Sequence, residues 1–588
     1  MKKNTQTLKE TFAFAVGEYK KKNFKLAETL CKKILSINSR HFDSIFLLSN
    51  LSAINGDFEK TKELLKQAII LQPNNASAQN NLGNAYKELN NFKSALDCYK
   101  KTIEIRPDHP NAHFNLGVIY YQLKEIKKAE NYFEKTIKLQ PNYALAYFNL
   151  GNVLIQYKEY KKAKECFQKV INLRPGYESA HNNLGLIFRI FGDYKKAISC
   201  YKKTIEIQPK HAGAYNNLGM AYKELGNFKK AINSHEMAIK LEPENLYHYF
   251  YLSELKKDFL DTKLINKVKN IIDSNNVLQA NLAFGNFLLS RHERRKKNYK
   301  KEFDYLLKAH TNYFNTKKEK FELGVKYVFN ELIEIKDTVT TKKIYKKSDY
   351  KIKPIFIVGV PRCGSTLIEK IIASGQKSIP IGEETSIIEN YINNKILKVQ
   401  SIDLGEVENI RNEICEIYNE KGLIKKDKNY IFTDKSLNNF FYIRFLIEIF
   451  PEAKIINCKR NTLASIMSIL HNNLTELAWA HSLENIFRYF DLYFNVMNEN
   501  KNKYTNYIYD LEFEKFTNDP EKESKNLMKF CGLKWDKKCL EYYKRKDIIS
   551  KTTSFQQIRK AVYKHPGKRY LPYKKLLNKY ANKYPWFK

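Results

Sequence analysis

The residues best suited to chemistry lie in Pro354–Glu369, which reads PIFIVGVPRCGSTLIE. Ile355, Phe356, Ile357 and Val358 form a β-branched and aromatic run bounded by proline and glycine, the pattern of a buried strand in a covered parallel sheet. Gly359 to Gly364 make a tight loop, and from Ser365 on Leu367, Ile368, Ile371 and Ile372 recur at helical spacing. Strand, glycine loop and helix in that order build an anion cradle, because loop N–H groups and the helix dipole converge on one point. The hydroxyls of Ser365 and Thr366 can donate two more hydrogen bonds there. The stretch falls one residue short of the phosphate-loop pattern GxxxxGK[ST]: Ser365 stands at the lysine position, which argues against an ATPase, a GTPase or a nucleotide kinase.

Further chain segments supply acids, cations and hydroxyls. Gly382-Glu383-Glu384-Thr385 follows the first helix; on an extended segment neighbouring side chains point to opposite sides, so one of the two acids at most should face a reacting centre. A strand over Asn429–Thr433 runs into Asp434-Lys435, and a second over Ala453–Cys458 runs into Lys459-Arg460. Strands alternating with helices predict parallel pairing with the ligand at the carboxyl ends of the strands, where both Lys435 and Arg460 fall. Ser465 and Ser468 share one face of the helix that follows.

With these residues in place, P-R-C-G-S-T-L resembles the 5′-phosphosulfate loop of sulfotransferases that use 3′-phosphoadenosine-5′-phosphosulfate (PAPS). The resemblance implies that Arg362, Cys363, Gly364, Ser365, Thr366 and Leu367 hold the 5′ end of the nucleotide, with Arg362 at the sulfonate, and that Arg460 and Ser468 hold the 3′-phosphate. G-E-E-T is similar to a segment of the tyrosylprotein sulfotransferases whose second glutamate is the base; that maps onto Glu384, with Glu383 as the alternative, and His471 and His481 stay open because some sulfotransferases use histidine. Lys435 would neutralise the bridging oxygen as it leaves. Within TTSFQQIRKAVY, Ser554, Gln557 and Lys560, with Arg559, correspond to a segment that closes over the nucleotide. PAPS is thus the expected co-substrate, with no metal. Ser386 stands where tyrosylprotein sulfotransferases place an arginine, so tyrosine is not singled out, and a glycan or small alcohol stays open beside a polypeptide acceptor.

The first part of the chain repeats. Pro73, Pro107, Pro141, Pro175, Pro209 and Pro243 recur every 34 residues, as do the Leu-Gly pairs from Leu82-Gly83 to Leu218-Gly219 and the alanines Ala95, Ala129, Ala163, Ala197 and Ala231. This is the tetratricopeptide repeat, two helices per unit with the alanine at their crossing and the proline ending the second. About seven units are expected, the first two atypical, stacked in a superhelix with a concave groove. One column lies outside the packing pattern: Asn81, Asn115, Asn149, Asn183 and Asn217 precede the Leu-Gly pairs and would offer amides to an extended peptide. It resembles the asparagine ladder in the repeats of O-linked N-acetylglucosamine transferase, which implies a protein or peptide partner in the groove.

The sequence therefore predicts a multidomain chain of 588 residues, an all-α tetratricopeptide-repeat superhelix followed by an α/β, P-loop-like domain with a central parallel sheet. The expected divisions are repeats over 1–245, a helical bridge with a degenerate repeat over 246–340, a linker over 341–353 and the transferase over 354–588. The net charge of +39 comes from lysine spread through every segment, without a basic stripe interleaved with aromatics, so nucleic acid is not an expected partner. There is no long apolar run for a membrane span and no signal-peptide core, and the nine cysteines lack metal-binding spacing; both point to a cytoplasmic protein. A rival reading is a peptide-binding scaffold whose nucleotide-binding domain is inactive.

Overall fold

The computed structural model describes residues 2–333, 352–375, 379–396, 406–424, 430–545, 561–562 and 569–587. Its packing separates two compact units, Met1–Asn217 and Leu218–Lys588. Between Lys2 and Leu241 the described residues form seven helical hairpins, from Lys2–Lys20 with Phe24–Ile37 to Ala212–Leu225 with Phe228–Leu241.

The repeat code has a direct packing cause. In the first unit the glycine of each Leu-Gly pair receives an aromatic ring from the second helix. A Cβ on Gly117 would stand 2.6 Å from the Phe133 ring, and Gly83 meets Tyr99, Gly151 meets Phe167 and Gly185 meets Tyr201 in the same way. Ala95, Ala129, Ala163 and Ala197 are fully buried where the helices cross. Asp57, Asn91 and Asp193 cap second helices by accepting from the backbone N–H three residues on, which satisfies donors that a helix start leaves open.

The second unit holds a five-stranded, wholly parallel sheet in the order β2-β3-β1-β4-β5. The strands are β1 (Ile352–Gly359), β2 (Ile381–Glu383), β3 (Tyr430–Lys435), β4 (Lys454–Lys459) and β5 (Ile508–Glu512). β1 is central, and its Ile355, Phe356, Ile357 and Val358 are at most 1% exposed, as a strand covered on both faces requires. It starts at Ile352, inside the stretch read from sequence as linker; the remainder of that linker lies outside the described residues. All five strands end on one edge, so Gly359, Glu383, Lys435, Lys459 and Glu512 line the same rim.

The helices before the sheet belong to its core. Helix Tyr299–Asn315 is fastened to the α/β layer by buried histidines. His310 donates from Nε2 to the Leu470 carbonyl at 2.8 Å, which leaves its Nδ1 to accept from His481 Nδ1 at 3.0 Å. His471 meets Glu302 at 2.8 Å, and Tyr573 donates to the other oxygen of the same carboxylate at 2.6 Å. His481 also stacks on Phe321 with 5.1 Å between ring centres. The two histidines weighed as bases are therefore packing residues. Burial holds His310 and His471 down to about 4 and His481 to about 3, against an ordinary value of 6.5.

A histidine buried neutral binds its proton more readily in the unfolded chain. Its stabilising contribution is complete above pH 6.5 and is lost as pH falls toward the folded values of about 4 and 3. Urea unfolding of the second unit should show a steep loss of stability between about pH 7 and about pH 5, reduced in His310→Gln. Equal midpoints across that interval would contradict the packing.

Candidate functional site

The loop between β1 and its helix is built on two glycines. Gly359 has φ +149° and a Cβ there would lie 2.7 Å from the Cys458 carbonyl oxygen; Gly364 has φ +102° and its Cβ would enter the Phe513 ring at 2.3 Å. Arg362 between them is also left-handed, at φ +71°. Helix Ser365–Ala373 opens at Gly364, and Ser365 and Thr366 are each only 5% exposed at its first turn. Leu367 packs on the hydrophobic core. Cys363 is fully buried, and a hydrogen bond with the Cys458 thiol, working against burial, draws its thiol below the ordinary value.

Lys435 is the electrostatic centre. Its side chain is 1% exposed, and Nζ lies 3.3 Å from Glu383 Oε1, 3.2 Å from Glu384 Oε1 and 3.4 Å from Thr366 Oγ1. Burial disfavours the ammonium, but Glu384, Glu383 and Glu369 together outweigh it and hold the lysine protonated. The sequence expectation that only one of the paired acids could face the centre is corrected here. Glu384 has φ +52° and Ser386 φ +49°, so the chain leaves the extended form after Glu383 and both carboxylates reach the same ammonium. They differ in exposure: the Glu383 side chain is 5% exposed and that of Glu384 47%.

A third acid completes the cluster. Glu369, on the loop helix, is fully buried, accepts from Thr433 Oγ1 at 2.9 Å and leaves Oε2 unpaired. Burial pushes its carboxyl up to about 7, against the pull of Lys435 and with the help of Glu383. Sequence reading passed over it, although an acid among Leu367, Ile368, Ile371 and Ile372 is the kind of residue that pattern analysis flags.

The cations at the second strand end gather on the other side of the loop. Arg460 donates from Nη1 to the Arg362 carbonyl at 2.9 Å and lies over the Phe513 ring at 5.0 Å. Arg362 donates from Nε to Ser468 Oγ at 3.0 Å. The structure thus brings Arg362, Arg460 and Ser468 together, while Lys459 turns to Asp510 on β5 at 2.7 Å. Ser554, Gln557 and Lys560 lie outside the described residues.

In the first unit the asparagine column is half-buried, and four of its five members bond to the preceding repeat. Asn81 donates to Asn50, Asn115 to Asn84 and Asn183 to Asn152, at 3.0, 3.0 and 2.9 Å. Each acceptor stands 31 residues back. Where that position is Val118 or Leu186, Asn149 bonds its own helix at the Leu145 carbonyl and Asn217 turns to Asn182.

Comparison with known proteins agrees with this architecture. The Sulfotransferase family model matches residues 354–537, and tetratricopeptide-repeat models match 83–124, 110–143, 144–177 and 177–243. The chain joins tetratricopeptide repeats to a domain of the sulfotransferase family. An uncharacterised protein of Aquifex aeolicus (strain VF5) is 25% identical over 329 residues, covering 53% of this chain and 43% of that protein, so the chain spans less than half of its relative's length. Among solved structures, YrrB, described as a TPR protein with an unusual peptide-binding site, is 25% identical over 32% of this chain and 97% of its own, with a TM-score of 0.30. A MamA structure from Desulfovibrio magneticus RS-1 is 24% identical over 29% of this chain and 96% of its own, with a TM-score of 0.27.

The buried acid gives a pH signature. Glu369 keeps a proton in the folded state up to about pH 7, whereas the unfolded chain loses it near its ordinary value of 4.5. That proton stabilises the fold at low pH, and the contribution is lost as pH rises through about 7. In urea unfolding from about pH 5 to about pH 8 the histidine contribution is common to both proteins, so Glu369→Gln should become more stable relative to the wild type as pH rises. Parallel pH profiles would show that Glu369 is not buried beside the lysine.

Proposed function

We propose that the protein is a PAPS-dependent sulfotransferase that moves a sulfonate to a hydroxyl on a protein or peptide held in the repeat groove. The observation that carries this reading is the meeting of Glu384, Lys435 and Thr366 within 3.4 Å of one ammonium nitrogen, at the open end of the glycine loop. A carboxylate, a fixed cation and a loop hydroxyl at one point suit transfer of an anionic group from a nucleotide to an alcohol.

The residues present fit the nucleotide. Gly359 and Gly364 let the loop turn where a side chain would clash, the helix start gives a partial positive charge, and Arg460 offers a planar fork for a phosphate. When bound, PAPS supplies an activated sulfonate. Ser365 and Thr366 would hold its 5′ end, and Arg460 with Ser468 its 3′-phosphate. Arg362 would reach the sulfonate on giving up its bond to Ser468. Lys435 is charged and so able to balance the bridging oxygen, and Glu384, the more exposed of the paired acids, would accept the alcohol's proton. No metal is needed for these roles.

The asparagine column supports a polypeptide acceptor, since its amides recur once per repeat as a row of polar groups, four of the five linked to the preceding repeat. The nine cysteines are unpaired thiols, in keeping with work in the cytoplasm.

Incubation with ³⁵S-labelled PAPS and proteins of the source cell should label a polypeptide. Lys435→Ala should lower the rate about 10²- to 10³-fold, the order seen when one charge-stabilising donor is removed. Paired replacement of Asn115 and Asn149 by Ala should raise KM for that polypeptide while sparing PAPS binding. Label that appears at equal rate with Lys435→Ala would overturn the reading.

A further inference from the structure

Two residues of the turn that carries Glu384 sit in the left-handed region with full side chains, Glu384 at φ +52° and Ser386 at φ +49°. Such conformations are unfavourable for residues other than glycine and persist only where neighbouring bonds impose them. Here the bonds come from the end of β3. The Glu384 N–H donates to the Lys435 carbonyl at 3.1 Å, and the Ser386 N–H to Ser436 Oγ at 2.9 Å. Thr385 between them donates from Oγ1 to Asp434 Oδ2 at 2.8 Å and lies 3.2 Å from Ser436 Oγ.

Asp434 is itself held from several sides. It is fully buried and accepts from Tyr418 Oη, from Ser436 Oγ at 2.7 Å and from Asn439 Nδ2 at 3.4 Å, besides Thr385. Successive residues of a strand point to opposite sides, so Asp434 and Lys435 divide the work at the end of β3. Lys435 meets the carboxylates of Glu383 and Glu384, and Asp434 meets the hydroxyl of the residue that follows them. The Gly382 end of the turn is equally constrained, because a Cβ there would stand 2.4 Å from the Thr433 carbonyl oxygen.

We propose that Asp434, acting through Thr385, is a positioning residue that locks the 382–386 turn in the left-handed form presenting Glu384 beside Lys435. It touches neither nucleotide nor acceptor. The proposal deepens the sulfotransferase reading and rests on it for the role of Glu384. Without the Thr385 hydroxyl the turn relaxes toward the extended form, in which Glu383 and Glu384 point apart and Glu384 leaves the ammonium.

The test uses the full chain as wild type, Thr385→Val, Thr385→Ser and Asp434→Asn. Hydrogen–deuterium exchange of the peptide over 382–387 reports the lock without any need for turnover, and calorimetry with 3′-phosphoadenosine-5′-phosphate reports the nucleotide site. Thr385→Val should exchange at least tenfold faster in that peptide and bind the bisphosphate as the wild type does. With the polypeptide labelled from ³⁵S-PAPS as acceptor its kcat should fall about 10- to 100-fold with KM for PAPS unchanged, the scale expected when a reacting group is misplaced by about 1 Å. Thr385→Ser, which keeps the hydroxyl, should restore both values, and Asp434→Asn should follow Thr385→Val. Wild-type exchange in Thr385→Val overturns the proposal, and so does loss of bisphosphate binding together with exchange, which would mark a general collapse. A wild type that binds no bisphosphate fails at the calorimetric step alone; it overturns the sulfotransferase reading, and with it the role given to Glu384.

Discussion

The second unit is arranged around one buried ammonium. Removing a lysine charge from water is expensive, and the cost is offset only where opposite charges stand close with good geometry. Lys435 meets that condition because the parallel sheet brings β2 beside β3 and the loop helix over both. Glu383 and Glu384 arrive from β2 and the turn after it, and Thr366 and Glu369 from the helix. The carboxylates are not equivalent. Glu369 lies deepest and burial pushes it up to about 7, so it gives up its proton at higher pH than an ordinary carboxyl, while Glu384 stays in contact with solvent. A cluster with this gradient can hold the lysine charged and leave one acid accessible.

The helical segment before the sheet contributes to the same core. Helix Tyr299–Asn315 places Glu302 and His310 against His471, His481, Tyr573 and the Leu470 carbonyl, all buried polar contacts that a mispacked helix would leave unsatisfied. The helix Thr462–Leu470, which carries Ser468, is therefore braced from behind by residues far upstream in sequence. Residues 218–333 are in this sense structural parts of the α/β unit, even though their helices continue the rhythm of the repeats.

Much of this was legible in the sequence, for reasons that differ by element. The repeats announced themselves through the fixed recurrence of proline, Leu-Gly and alanine, because each unit meets the same packing problem. The structure adds an aromatic partner for each of these glycines at the same register, always 16 residues on, as from Gly83 to Tyr99 and from Gly117 to Phe133. The loop, Lys435 and Arg460 were found because local pattern fixes strand ends and strand ends fix the ligand side of a parallel sheet. What escaped depends on contacts distant in sequence or on single dihedral angles. The histidine contacts span 160 to 171 residues, and no local signal joins His310 to Leu470 or to His481. The convergence of Glu383 and Glu384 on one nitrogen arises from a left-handed backbone at Glu384, a residue type that gives no warning of it.

The proposed activity requires the rim of the sheet to bind a nucleotide with phosphates at both its 5′ and 3′ ends. Calorimetric titration of the purified protein with 3′-phosphoadenosine-5′-phosphate, beside ATP, for wild type and Arg460→Ala, addresses it most directly. The bisphosphate should bind with micromolar affinity, weakened about 30-fold or more in Arg460→Ala by loss of a charge-assisted contact, and ATP should not bind. Absence of bisphosphate binding, or equal affinity in the variant, would contradict the proposed activity.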